Sequence, residues 1–238
     1  MLFKLFLNID VALMELEIPY INWKTSLIGY LIHLIYWFFV TYCFMIALII
    51  TNFAIIFYLV SAIVQYDILK ELLSELNVMI EQKNDDERNQ KIEKLFKLIV
   101  TVHSDLLDFL NIFVDLFQFY YFIDIGALFI QIIISLFAIS SFGFLPGYML
   151  IIAATFQIFM PCLLSTFIII KAEEFTENIN NILWYLLPVK DQKMLMMILK
   201  ISQEKKTLST GFTELNISTF VEMYKAIYSY WMILQELN

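Results

Sequence analysis

Residues 25–66 read TSLIGYLIHLIYWFFVTYCFMIALIITNFAIIFYLVSAIVQY, without one Asp, Glu, Lys or Arg. A helix crosses the hydrocarbon core of a bilayer with about 20 apolar residues. The run is therefore longer than one crossing requires. It predicts a span over Ser26–Ala54 whose helix continues beyond the membrane to Asn77. Past Val64, Ile68, Leu69, Leu72, Leu73 and Leu76 recur at helical spacing among charges, the pattern of an amphipathic extension.

Outward from that run, a second charge-free stretch covers Ile125–Ile170, broken once by Gly143-Phe144-Leu145-Pro146-Gly147. Proline lacks the N–H a helix needs and paired glycines admit a turn. Two antiparallel spans follow, about Leu116–Ser141 and Tyr148–Ile170. Pro161 sits inside the second and reads as a tolerated kink, because residues 158–170 around it are uncharged and mostly apolar. A last span is expected over Asn216–Leu237. Its Glu222 and Lys225 lie three apart, can pair on one face, and point to a wet or protein-lined interior.

Composition agrees with a membrane solvent. Hydrophobic residues make up 61% of the 238 and charged residues 16%, against roughly a quarter charged in soluble domains; mean hydropathy is +0.77. A net charge of −8 argues against nucleic acid as a partner. Cys43 and Cys162 each lie in apolar runs and read as buried or lipid-facing thiols. His33 and His103 have no metal-site spacing, so no cofactor or metal is expected. The acidic cluster from Glu81 to Glu87, interleaved with Lys83 and followed by Arg88, reads as a solvated tip between helices.

Basic residues set the orientation. Lys70, Lys83, Arg88, Lys91, Lys94 and Lys97 occupy one connecting segment. Lys171, Lys190, Lys193, Lys200, Lys205 and Lys206 occupy another, leaving only Lys4, Lys24 and Lys225 elsewhere. Both charged segments are placed in the cytoplasm, and the Pro-Gly turn and the C-terminus outside. Four spans so arranged put residue 1 outside, although Met1–Tyr20, interrupted by Asp10, makes a poor signal peptide. The expectation is that an odd number of preceding spans is absent from this chain. The expected class is all-α, a polytopic membrane helical bundle of about four transmembrane helices with long cytoplasmic helical extensions. Its expected parts are an extracellular lead-in (1–25), a first span and its continuation (26–66), cytoplasmic helices (67–115), two spans (116–170), a cytoplasmic loop and helix (171–213) and a last span (214–238).

Residues 184–237 carry a family likeness. Trp184-Tyr185-Leu186-Leu187-Pro188 precedes a lysine-rich amphipathic helix ending Ile198-Leu199-Lys200-Ile201-Ser202-Gln203. Thr210-Gly211-Phe212, Leu215-Asn216-Ile217-Ser218-Thr219-Phe220 and Lys225-Ala226-Ile227-Tyr228-Ser229-Tyr230 follow. This order resembles the loop and last helix of insect odorant receptors, in which Phe220, Lys225, Tyr228 and Ser229 match the recurring residues. Pro19, Tyr20 and His103 also match family landmarks. The Tyr-Cys and Gly usual after the sixth span are not found near Ile170-Lys171-Ala172.

The resemblance implies seven spans, of which this chain would carry the fourth to the seventh. It further implies a ligand-gated cation channel, tetrameric with an odorant co-receptor subunit, in the plasma membrane of olfactory sensory neurons. Asp67–Asn111 and Lys171–Phe212 would form the cytoplasmic anchor; the bland alternative is helices lying on the membrane. Aligned on Phe220, the apolar gate falls at Ile233 and Leu237 with Glu236 near the outer mouth, where an apolar ring closes by dewetting and an acid favours cations. Ordinary packing is the alternative. His33, Tyr36, Trp37 and Val40 would be this chain's share of a pocket for a small volatile ligand, or else interfacial aromatic anchors.

Other classes fit less well. The chain has no nucleophile elbow, phosphate loop or metal pair, so an enzyme is not expected. A G-protein-coupled receptor requires the opposite topology. An insect gustatory receptor shares the implied fold and channel mechanism, but its last helix usually carries Thr-Tyr and Gln-Phe where this chain has Thr219-Phe220 and Gln235-Glu236. Another channel or transporter subunit finds no support in an internal repeat.

Overall fold

The structure, a computed structural model, describes residues 27–81, 86–203 and 214–236. Five α-helices occupy them, with no strand among the described residues: α1 Leu27–Glu81, α2 Asp86–Phe142, α3 Pro146–Asn180, α4 Val189–Ser202 and α5 Ile217–Glu236. A 3-10 turn, Trp184–Leu186, sits between α3 and α4. The helix expected to continue from the first charge-free run does so, since α1 runs unbroken through Asn77. Positions 66, 115 and 170, where sequence composition changes, all fall inside continuous helices. Pro161 is likewise carried within an unbroken α3. The lead-in with Pro19 and Tyr20, most of the acidic tip, the segment Thr210-Gly211-Phe212 and Leu237 lie outside the described residues.

The chain divides at Ala54 into two units. Residues 27–54 form the first, an apolar helical segment whose large side chains, Phe38, Phe39 and Phe53 among them, stand exposed. In water such faces would be untenable; in lipid they are the solvated surface.

The second unit, from Ile55 onward, owes its packing to two regular stripes. On α1 the buried positions are Ile55, Leu59, Ala62, Tyr66, Leu69, Leu73, Leu76 and Ile80. On α2 the facing stripe is Ile92, Phe96, Ile99, His103, Leu106, Leu110 and Phe113, with Leu95 buried beside it and Tyr121, Leu128, Ile132 and Ser135 buried farther along. Steps alternate between four and three residues, the spacing that keeps one seam facing a partner helix over many turns. Tyr58 meets the rings of Phe109, Phe113 and Phe117 at 5.6–6.4 Å, so α1 and α2 lie side by side. Ile168, Phe175 and Ile179 of α3 and Leu195 and Ile198 of α4 complete this core. Farther along, the outward faces of α2 and α3 are apolar again: Leu116, Phe119, Ile130, Ile134, Ile152 and Phe156 are all exposed.

The turn between α2 and α3 follows from its glycines. Gly143 adopts φ +64°, a left-handed conformation costly for other residues, and its N–H donates to Ile139 O at 3.0 Å to cap α2. Gly147 lets the first turn of α3 close on α2: a Cβ there would lie 2.8 Å from Ile139 Cγ1.

Among the described residues three helices, α1, α2 and α3, are long and apolar enough to cross a membrane. Over its 20 residues α5 carries Glu222, Lys225 and Glu236, and it is not among the helices that meet that standard of length and composition.

Candidate functional site

The predicted pocket residues share one face of α1. His33 is buried at 2% exposure, Trp37 is half-buried, and Tyr36 and Val40 are exposed. The Trp37 indole N–H donates to His33 Nε2 at 3.0 Å, one helical turn away, and Tyr36 meets the Trp37 ring edge-on at 5.6 Å. The first helical unit thus carries a fixed polar–aromatic pair flanked by open apolar surface.

The predicted pore residues lie on α5. Ile233 is 52% exposed and Glu236, the last residue of the helix, is also exposed. The motif residues divide between two faces. Phe220 packs on Phe159 of α3 at 5.4 Å and on Tyr224 at 4.7 Å. Lys225, Tyr228 and Ser229 are exposed, with Ser229 Oγ donating to Lys225 O at 3.0 Å. Glu222 and Lys225 do not pair: both are exposed, and no ion pair joins them among the described residues. Spacing alone overstated that contact, because two surface side chains three apart gain little by holding one geometry. Tyr224, which sequence reasoning passed over, is the residue tying α5 to α3 through a hydrogen bond with Thr155 Oγ1. Ile217 N–H adds a bond to Thr166 Oγ1 at 3.1 Å, and Tyr230 stands edge-on to Phe129 of α2. Ile227 is the single buried residue of α5 among those described.

The charged ends of α1, α2, α3 and α4 are cross-tied by ions. Lys171 donates to Asp67 at 2.6 Å and lies 3.3 Å from Glu174, which also holds Lys70. Lys190 of α4 reaches Glu93 of α2 at 3.0 Å, with Lys97 sharing the same carboxylate. The Glu93 carboxyl is held below its ordinary range, first by the hydrogen bond from Lys190 and then by Lys97. Asp191, buried in the first turn of α4, is pushed up by desolvation. Leu183 N–H donates to Asn77 Oδ1 at 3.3 Å, fixing the 3-10 turn against α1. His103, noted in the sequence as a landmark, is 4% exposed and stacks on Phe175 at 4.9 Å, at the centre of this assembly. A cavity of about 290 Å³ remains between the end of α3, the 3-10 turn and α4, lined mainly by apolar residues with Asn180 and Gln192.

The sequence model of the 7tm Odorant receptor family matches residues 1–228. The chain belongs to that family. The family is one of receptors, and the chain carries several helices long and apolar enough to cross a membrane. Among solved structures, the insect olfactory receptor OR5 from Machilis hrabei superposes on 78% of the receptor chain with a TM-score of 0.63 at 16% identity, covering 48% of OR5. The same OR5 in complex with eugenol superposes on 93% with a TM-score of 0.75 at 15% identity, covering 56%. At that identity the likeness establishes the fold. The receptor chain spans about half the length of OR5.

Proposed function

We propose that this odorant receptor binds small volatile molecules and gates a cation-conducting pore together with a co-receptor subunit, at the plasma membrane of olfactory sensory neurons. The observation that carries the proposal is the openness of α5. A helix that buries one residue, Ile227, while presenting Val221, Tyr228, Tyr230 and Ile233 outward is built to be covered by other chains or to line a passage between them. Its polar and charged positions, Glu222, Lys225 and Glu236, suit a surface that meets water within the membrane. Apolar Ile233 and Leu237 would form the constriction, with acidic Glu236 beside it favouring cations.

In this reading the charge-tied ends of α1 to α4 form the anchor that associates with the co-receptor, and Met196 and Met197, both exposed on α4, contribute to its outer face. His33, Tyr36, Trp37 and Val40 supply part of an apolar ligand pocket. OR5 in complex with eugenol supports a small, largely apolar volatile as the ligand class. The pocket is tested by the potency of an activating odorant at receptors assembled with co-receptor. Tyr36→Ala should raise the half-maximal concentration about tenfold, as expected for about 1.4 kcal/mol of lost contact, without lowering surface expression. Unchanged potency for both Tyr36→Ala and Trp37→Ala would remove these residues from the pocket.

A further inference from the structure

Asp124 is a carboxylate inside the second span, half-buried on α2 eight residues after Leu116. Its partner among the described residues is Gln157 of α3, whose Nε2 donates to both carboxylate oxygens at 3.2 Å. That amide supplies hydrogen bonds and no positive charge. Neither spanning segment, 116–141 nor 148–170, contains Lys or Arg, and Lys225 of α5 makes no ion pair with Asp124. A charge within the membrane is expensive unless it is paired or solvated.

Beside Asp124 stand two hydroxyls in the same condition. Tyr120 and Tyr121 each bury the phenol oxygen without a hydrogen-bond partner, and Tyr121 as a whole is only 4% exposed. They lie four and three residues before Asp124, one turn back along the same helix, and their rings stand 5.9 Å apart. A buried hydroxyl left unpaired costs about 1–3 kcal/mol, so two together call for an occupant. One main-chain oxygen of α3 is also freed. Pro161 has no N–H to offer the carbonyl of Gln157 one turn back, and a freed helix carbonyl inside a membrane is satisfied by water, a side chain or an ion.

We propose that Asp124, the Tyr120 and Tyr121 hydroxyls and the carbonyl of Gln157 form a binding site for a dehydrated monovalent metal cation, Na+ or K+, between α2 and α3. The donor set is oxygen throughout, as a hard cation requires. It carries one negative charge, which balances a monovalent ion and is too little for the carboxylate-rich sites of calcium. The occupant would neutralise Asp124, satisfy both phenols and bridge two helices of the receptor. The site is separate from Ile233 and Glu236 of the proposed pore, and the proposal does not rest on that pore.

The test is the melting temperature of the purified chain in detergent, read by tryptophan fluorescence in NaCl, KCl and N-methylglucamine chloride at equal ionic strength and at two pH values. The Tm should rise with the logarithm of Na+ or K+ concentration, about 3–6 °C per tenfold once the site is half-filled. It should stay flat in N-methylglucamine. Comparison of the first two salts assigns the ion. Asp124→Asn, which keeps the shape and removes the charge, should melt as wild type in N-methylglucamine and lose the response to metal cation. Tyr121→Phe should fold normally and need a higher concentration for the same shift. Equal melting in all three salts would overturn the proposal, as would an undiminished response in Asp124→Asn. A Tm that follows pH and ignores the cation would replace the ion with a proton.

Discussion

Replacing Phe175 with alanine removes the side chain on which the charged end of the receptor converges. Phe175 is 1% exposed, and its ring stacks on His103 at 4.9 Å and on Tyr66 at 6.3 Å, joining α1, α2 and α3. Large-to-small changes at a buried Phe cost about 3–5 kcal/mol, because the surrounding side chains collapse only partly into the cavity. The two ring contacts place Phe175 toward the upper part of that range. In a chain of this length each kcal/mol lowers Tm by about 2–4 °C, so a loss of about 4 kcal/mol corresponds to roughly 8–16 °C. Trp184→Ala is the control: Trp184 is 54% exposed, and substitution there should move Tm by about 2 °C or less. Both variants can be melted in detergent with size-exclusion monitoring of the monodisperse fraction. A Phe175→Ala Tm within 3 °C of the Trp184→Ala value would refute the assignment of Phe175 to the centre of a rigid core.

Four further outcomes are expected. Glu93 sits below the ordinary carboxylate range, so it stabilises the fold above its unfolded pKa and loses that contribution as pH falls through the depressed value; Glu93→Gln should blunt the loss of Tm on acidification below about pH 4. Asp191 is raised, so it favours the fold only while protonated; Asp191→Asn should blunt the fall in Tm as pH rises through and above the usual carboxylate range, and an unaltered pH profile would place Asp191 in solvent. At the proposed gate, Ile233→Ala in receptor assembled with co-receptor should raise current in the absence of odorant, and an unchanged baseline would make Ile233 a packing residue. Replacing exposed Met196 and Met197 with lysine, which spares the buried Leu195 and Ile198, should abolish co-purification with the co-receptor; normal co-purification would move the contact elsewhere on the chain.

Which parts were legible beforehand follows from what local patterns encode. The charge-free run from Thr25 to Tyr66 announced a helix longer than a bilayer, and α1 continues past it to Glu81. Gly143 and Pro146 marked the reversal between α2 and α3, because a left-handed φ and a missing N–H are properties of single residues. Of the stripe Ile68, Leu69, Leu72, Leu73, Leu76, which marked an amphipathic extension, Leu69, Leu73 and Leu76 are buried, Leu72 is half-buried and Ile68 is exposed. Long-range partners were not legible. Asp67 with Lys171 and Lys70 with Glu174 lie 104 residues apart in sequence, and Asp124 with Gln157 lies 33 apart. Periodicity says which face of a helix is covered and not which residue covers it. The same limit explains Glu222 and Lys225, where correct spacing did not become a bond, and Tyr224, whose tie to Thr155 has no local signal.

The central claim, that this receptor gates a cation current in response to volatile ligands, is tested most directly by whole-cell recording. Cells expressing the receptor with its co-receptor would be exposed to a broad odorant panel, beside cells expressing either subunit alone. An inward cation current that needs both the odorant and this receptor is the expected result. Silence across the panel, with both subunits verified at the cell surface, would contradict it.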